Sequence, residues 1–288
     1  MSTTSMQATQ HWHAGPVRLD LARPRIMGVI NVTPDSFSDH GRHFDRQVAI
    51  DHGLRLIEEG ADILDVGGES TRPNAPDVSL DEELRRVLPV IEALAPRGVP
   101  LSIDTSKPEV MRLALAAGAL IVNDVRALQA PGAIEVVMSS GCGVVLMHMQ
   151  GTPGTMQSAP SYGDVVAEVS AFLRARFVAL RDAGVAAERI LLDPGFGFGK
   201  TAEHNLHLLA RLRELELPAP LLVGLSRKST LGVVTGRGVH ERIHASVAAA
   251  LIAVQNGARV VRVHDVAATR DALAVWAAVQ AHRAEEAD

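Results

Sequence analysis

From Arg25 onward the chain alternates between two patterns. A short apolar run ends in polar or glycine-rich residues, an amphipathic helical stretch follows, and the next apolar run begins. The runs occupy residues 26–30, 63–66, 100–103, 120–122, 143–147, 190–192, 221–223 and 260–263. Each lacks polar alternation, as expected of strands buried on both faces of a parallel sheet. Helical patterning falls near 46–60, 81–95, 108–117, 131–140, 162–183, 203–216, 240–256 and 265–283. Ser79 caps the second helix, and Thr105-Ser106-Lys107-Pro108-Glu109 gives the third a cap and an early proline. Gly60, Gly118, Gly141, Gly184 and Gly257 mark helix ends. Eight strands alternating with eight helices over roughly 260 residues predict an α/β fold, a single (β/α)8 barrel. An open doubly wound sheet would have fewer strands and one dominant phosphate loop.

No linker or composition break follows residue 24, so residues 24–284 read as one domain, preceded by a partly ordered leader over 1–23. The loops after the first and second strands are long. The first extends from Asn31 to about Arg46 and the second from Gly67 to about Ser79. Loops of that length inside a compact domain are usually functional.

Composition narrows the picture. Apolar residues make up 47% of 288, enough for a large core, and the net charge of −5 gives no bulk attraction to nucleic acid. The one cysteine, Cys142, permits no internal disulfide and reads as a small core residue. No apolar run reaches the ~18–20 residues needed to span a bilayer, so a soluble, cytoplasmic protein is expected. Aromatic residues are scarce, and four of the six phenylalanines, Phe37, Phe44, Phe196 and Phe198, fall in predicted loops. That placement favours a flat ligand at the loop end of the barrel.

Barrel chemistry resides at the C-terminal ends of the strands. In strand order those ends carry Asn31, Asp65, Asp104, Asn123 with Asp124, His148, Asp193, Ser226-Arg227-Lys228, and Arg262 with His264 and Asp265. Asp104, Asn123 and Asp193 stand just past short strands and point into the mouth. Together they suit a flat ligand rich in N–H donors, such as a pterin, a purine or a guanidinium. Arg72, Lys200, Arg227, Lys228, Arg262 and His264 form a cationic set suited to phosphate or carboxylate. Lys200 and Arg227 also fit a plain solvated rim. Asn31 and the acids of the first loop suit Mg²⁺, which is often held through substrate phosphates. The run Gly195–Thr201 ends like a P-loop, but its first glycine would fall on Pro194. No Ser-His-Asp triad or zinc spacing is present.

These motifs resemble dihydropteroate synthases. Asn31-Val32-Thr33-Pro34-Asp35-Ser36-Phe37-Ser38-Asp39 and Gly67-Gly68-Glu69-Ser70-Thr71-Arg72-Pro73 are similar to the two signature loops of that family. Ser102-Ile103-Asp104-Thr105, Asp193 through Lys200, Ser226-Arg227-Lys228-Ser229 and Arg262-Val263-His264-Asp265 follow in the family's order. The resemblance implies condensation of 6-hydroxymethyl-7,8-dihydropterin pyrophosphate with p-aminobenzoate in folate synthesis. It also implies an SN1-like, Mg²⁺-assisted step, a homodimer and competition by sulfonamides. It assigns the pterin to Asp104, Asn123, Asp193 and Lys228. It assigns p-aminobenzoate to Thr71, Arg72, Phe37, Phe198 and Ser226. Asn31, Arg72, Arg262 and His264 take the pyrophosphate, Asn31 also the metal. Catalytic roles fall to Asp39, Asp104, Lys228 and Arg262. The chain departs from the family pattern at His40 and Asn74, where glycine is usual. A methyltetrahydrofolate–corrinoid methyltransferase or a non-catalytic pterin-binding paralogue would share the pterin acids. The methyltransferase would not need the two loops, and the paralogue should have lost Asn31, Arg72, Lys228 or Arg262. The Ala-rich helices near 243–255 and 271–280 expose little charge and are candidates for self-association.

Overall fold

A computed structural model describes residues 11–33, 42–70 and 75–285. Eight parallel strands close into a barrel in which each pairs with the next along the chain and the last with the first. They are β3 (Arg25–Asn31), β4 (Ile63–Gly67), β5 (Leu101–Asp104), β6 (Ile121–Asp124), β7 (Gly143–Met147), β8 (Ile190–Asp193), β9 (Leu221–Val223) and β10 (Ala258–Val263). The surrounding helices are α1 (Arg42–Glu58), α2 (Leu80–Leu94), α3 (Pro108–Ala116), α4 (Ala133–Ser140), α5 (Val165–Asp182), α6 (Ala202–Ala210), α7 (Ser229–Thr235), α8 (Ile243–Gln255) and α9 (Val266–Glu285). All eight apolar runs are strands, displaced by no more than two residues at either end. The main core lies between this sheet and its helices.

Two elements were not foreseen. Residues 11–20, within the segment read as a leader, form an antiparallel hairpin of β1 (His11–Ala14) and β2 (Val17–Asp20). It closes the N-terminal face of the barrel. Trp12 and Ala14 from β1 and Leu19 from β2 join a buried cluster with Met27, Ile63, Ile121, Val145, Leu191, Leu222 and Val260 from the strands. The Trp12 indole donates to the Arg189 carbonyl at 2.9 Å. Gly143, the first residue of β7, leaves room for the Trp12 ring: a Cβ there would lie 3.1 Å from it. The second surprise is α7, a short helix after β9.

Local details also differ from expectation. Helix α1 begins at Arg42, not Arg46, so Phe44 belongs to a helix and the first loop is shorter than predicted. Ser79 does cap α2, accepting from Glu82 N at 3.3 Å. For α3 the cap position is Lys107, with Pro108 at its first turn and no side-chain cap bond. The Lys107 ammonium instead bridges Glu69 and Glu83, and Ser106 donates to Asp124. Among the described residues no helix is long and apolar enough to cross a membrane.

Candidate active site

Parallel register places polar residues side by side around the C-terminal rim. Asn31 lies opposite Gly67, Gly67 opposite Asp104, Asp104 opposite Asn123, and Met147 opposite Asp193. β3, β5 and β8 end in Asn31, Asp104 and Asp193, and Asn123 is the next-to-last residue of β6, so these polar side chains stand at the C-terminal rim.

Arg262, from β10, organises one side of the cavity. Its Nε donates to Asp65 Oδ2 at 2.6 Å and its Nη2 to Asp104 Oδ2 at 2.8 Å. Asp65 Oδ2 also accepts from Asn123 Nδ2 at 3.1 Å. Asp65 is fully buried, and its other oxygen has no hydrogen-bond partner among the described residues. One guanidinium thus locks two carboxylates and, through them, an amide into a single layer. Burial pulls the Arg262 guanidinium down, and the carboxylates of Asp65 and Asp104 more than reverse it. Burial pushes Asp104 up to about 7; Arg262 opposes that rise, and Asp65, Asp124 and Glu83 add to it.

The opposite side is built from β8 and the segment after β9. Burial also raises the Asp193 carboxyl, with Lys228 opposing, and Asp193 Oδ1 accepts from Gly195 N at 2.7 Å. Lys228 donates to the Phe196 carbonyl, and its ammonium stands 4.5 Å from the centre of the Phe198 ring. Burial lowers Lys228 to about 8, with Asp193 working against it and Arg262 with it. Near this wall the Ser226 hydroxyl accepts from His264 N at 3.2 Å and lies 3.0 Å from His264 Nδ1. Asp124 folds the loop after β6, its carboxylate accepting from Ser106, Arg126 N and Leu128 N.

The structure therefore brings Asp104, Asn123, Asp193, Lys228, Arg262, Phe198, Ser226 and His264 to one rim, with the half-buried Asn31 at a strand end of the same rim. Asp35, Phe37, Asp39, His40, Thr71, Arg72 and Asn74 lie outside the described residues. Two members of the cationic set are not rim charges. Arg227 is spent on a two-pronged pair with Asp265, at 3.1 and 2.5 Å. Lys200 is buried and bonded to His148 Nδ1, Gly195 O and Phe198 O. Sequence reasoning gave no role to Asp65 or His148. The signal for Asp65 was present, a single acid interrupting an apolar strand.

Among the described residues no group of three or more His, Cys, Asp or Glu side chains could hold a metal. Magnesium keeps several waters and is usually bound through one or two carboxylates plus substrate phosphates. Among the described residues the rim offers such an ion the neutral amide oxygen of Asn31 as a single protein contact, so most of its ligands would come from substrate phosphates and water.

A family model described as pterin binding enzyme matches residues 27–264. Dihydropteroate synthase of Escherichia coli K12 is 53% identical over 259 residues, covering 89% of this chain and 92% of the relative. The chain belongs to the dihydropteroate synthases. The Xanthomonas albilineans dihydropteroate synthase solved with 4-aminobenzoic acid is 56% identical and superposes with a TM-score of 0.90, over 94% of this chain and 98% of that one. The Burkholderia cenocepacia dihydropteroate synthase complexed with 7,8-dihydropteroate is 54% identical, with a TM-score of 0.88 over 96% and 98%.

Proposed function

We propose that this chain is a transferase that condenses 6-hydroxymethyl-7,8-dihydropterin pyrophosphate with p-aminobenzoate, giving 7,8-dihydropteroate and pyrophosphate in folate synthesis. The observation that carries the reading is the buried layer in which Arg262 ties Asp65 and Asp104 together, opposite Asp193 and Lys228, in a chain so similar to named synthases. Asp104, Asn123 and Asp193 offer oxygens to the N–H edge of a pterin. Lys228 supplies a donor beside Asp193 and a cation against the Phe198 ring. Arg262 and His264 face the anionic leaving group.

The step is SN1-like in this reading. The C–O bond to pyrophosphate breaks and its electron pair leaves with the pyrophosphate. The neutral aryl amine traps the pterin-methyl cation, and the new ammonium releases a proton. Fixed positive groups at the departing oxyanion stabilise the transition state without reorganising, and the buried carboxylates favour the developing cation. Asn31 would hold Mg²⁺, which supplies charge neutralisation to the pyrophosphate when bound. Asp39, Phe37, Thr71 and Arg72 are assigned to the reaction through the family motif alone. Sulfonamides compete for the aminobenzoate position in this reading. The proposed assembly is a homodimer, and the proposed compartment is the cytoplasm.

The test is pyrophosphate release with the dihydropterin pyrophosphate and Mg²⁺, with and without p-aminobenzoate, and with the product mass checked. Release that depends on p-aminobenzoate and yields dihydropteroate supports the reading. Tight pterin binding without any release overturns it.

A further inference from the structure

The segment from Pro194 to Lys200 joins β8 to α6 without regular secondary structure. Its carbonyls from Gly195 to Gly199 are nevertheless all hydrogen-bonded. Gly195 O accepts from Lys200 Nζ at 2.9 Å and from Phe198 N at 3.1 Å. Phe196 O accepts from Lys228 Nζ, Gly197 O from Gln157 Nε2 at 2.7 Å, Phe198 O from Lys200 Nζ at 3.2 Å, and Gly199 O from Tyr162 Oη at 2.7 Å. Five successive carbonyls meet side-chain donors. Where no helix or ladder satisfies the backbone, such partners decide its conformation. The glycines cannot do so themselves. Gly195 and Gly199 hold φ of +69° and +61°, and a Cβ on either would strike the backbone of His148 or Gln150. They permit the path but, lacking side chains, do not enforce it.

Lys200 serves two of the five carbonyls. It is 2% exposed, and burial lowers it to about 7, with Asp193 opposing and Lys228 adding. In its charged form the ammonium has three protons for three acceptors, Gly195 O, Phe198 O and His148 Nδ1 at 2.9 Å. Nothing remains to offer a substrate. Burial, with Lys200 adding to it, lowers His148 to about 3, so its ring is neutral and Nδ1 accepts. The ring is fixed edge-on to Phe172, with centroids 5.0 Å apart, and leans on Tyr162. The clamp thus links α5, β7 and the segment ahead of α5 to the loop that presents Phe198.

We propose that Lys200 is the positioning residue of the aminobenzoate subsite, clamping the 195–199 loop so that the Phe198 ring is held against Lys228. The proposal rests on the synthase reading above. Its effect is asymmetric by construction. Asp193 is held by the β7–β8 register, in which Lys200 takes no part, and by Gly195 N, whose residue Lys200 touches only through its carbonyl; what Lys200 gives Asp193 directly is a favourable charge, second to that of Lys228. Among the described residues Phe198 O accepts from no other donor, so that end of the loop relaxes first when the ammonium is lost.

The experiment is steady-state kinetics on wild type, Lys200→Met, Lys200→Arg and Tyr162→Phe, varying p-aminobenzoate at saturating pterin pyrophosphate, with pterin pyrophosphate affinity measured separately by calorimetry. Lys200→Met should raise the aminobenzoate KM about tenfold or more, the scale of losing hydrogen bonds from a charged donor. Pterin pyrophosphate affinity should stay within about threefold, and Lys200→Arg, which retains charged donors, should recover part of the loss. Tyr162→Phe removes the neighbouring donor to Gly199 O and keeps the ring, so it reads the same loop independently, with a rise of about threefold expected; if Lys200→Met fails to fold, Lys200→Arg carries the test of Lys200 itself. An unchanged aminobenzoate KM in both variants overturns the proposal, as does an equal loss for both substrates. Wild-type protein that makes no dihydropteroate overturns the synthase reading and the proposal with it. An active wild type with unmoved variants overturns the proposal alone.

Discussion

Two buried groups at the rim set opposite requirements on pH. Asp104, raised to about 7 chiefly by burial, gains a proton as pH falls below that value. It then loses its charge for Arg262 and an acceptor for a ligand N–H. Lys228, lowered to about 8 chiefly by burial, loses a proton as pH rises above that value and with it the cation beside Asp193 and Phe198. Activity needs the first ionised and the second protonated, so kcat/KM for the pterin substrate should be bell-shaped with its maximum between about 7 and 8, since that ratio reports the free enzyme. Asp104→Asn should flatten the acid limb at much reduced rate. An acid limb that persists in that variant would assign the proton to another group. Arg262 carries a different prediction. Truncating it to Leu leaves Asp65 and Asp104 without their cation, and breaking a buried pair from one side costs about 3–5 kcal/mol. Urea unfolding should therefore show a large loss of stability in Arg262→Leu, and only a smaller one in Asn123→Ala, which removes a neutral partner. Equal losses would mean that Arg262 is not the tie between the two acids.

The hairpin of β1 and β2 works at the other end of the barrel. Trp12 is 1% exposed among seven strand side chains, so Trp12→Ala empties the plug. Aromatic-to-alanine changes in cores cost about 3–5 kcal/mol. The denaturation midpoint should fall accordingly, while kcat below the transition stays close to wild type because the chemistry sits on the opposite face. A large kcat loss with unchanged stability would reverse that assignment. The hairpin also shows where sequence reading stops. Eight barrel strands were legible because each is an unbroken apolar run, and five helix ends were legible because their glycines hold positive φ. β1 has only four residues, in which Trp12 and Ala14 turn inward between His11 and His13, too short a period-two pattern to separate from a polar terminus. Helix α7, with Val233, Val234 and Gly232 in its seven residues, has poor intrinsic propensity and is set by its tertiary context. The rim acids were legible because each interrupts or ends an apolar run. The clamp was not. Lys200 and His148 are 52 positions apart, and a lysine's burial depends on what the fold lays over it.

At the scale of the whole molecule the two ends of the barrel differ, with the proposed chemistry on one and the hairpin on the other, and the flank is where a partner copy is sought. On one flank α7, α8 and α9 follow one another and expose apolar side chains: Val233 at 71%, Val234, Ile252, Val275 at 67% and Val279. Single exposed valines need no explanation, but several on consecutive helices form the kind of surface that association covers. α8 and α9 are the Ala-rich segments that the sequence marked for pairing. A stable pair would have to bury about 1,200–2,000 Å² in total, which the faces of two or three helices can supply. The proposed homodimer therefore predicts that Val275→Glu or Ile252→Glu converts a dimer into a monomer in sedimentation velocity at micromolar concentration. The catalytic rim is built wholly within one chain in this reading, so kcat per chain should change by less than about threefold, a shift no larger than roughly 0.6 kcal/mol. Wild-type protein that sediments as a monomer at that concentration would rule out this assembly. A dimer that survives both substitutions would move the interface to another flank, and a monomeric variant with collapsed kcat would mean that the second copy supports the rim after all.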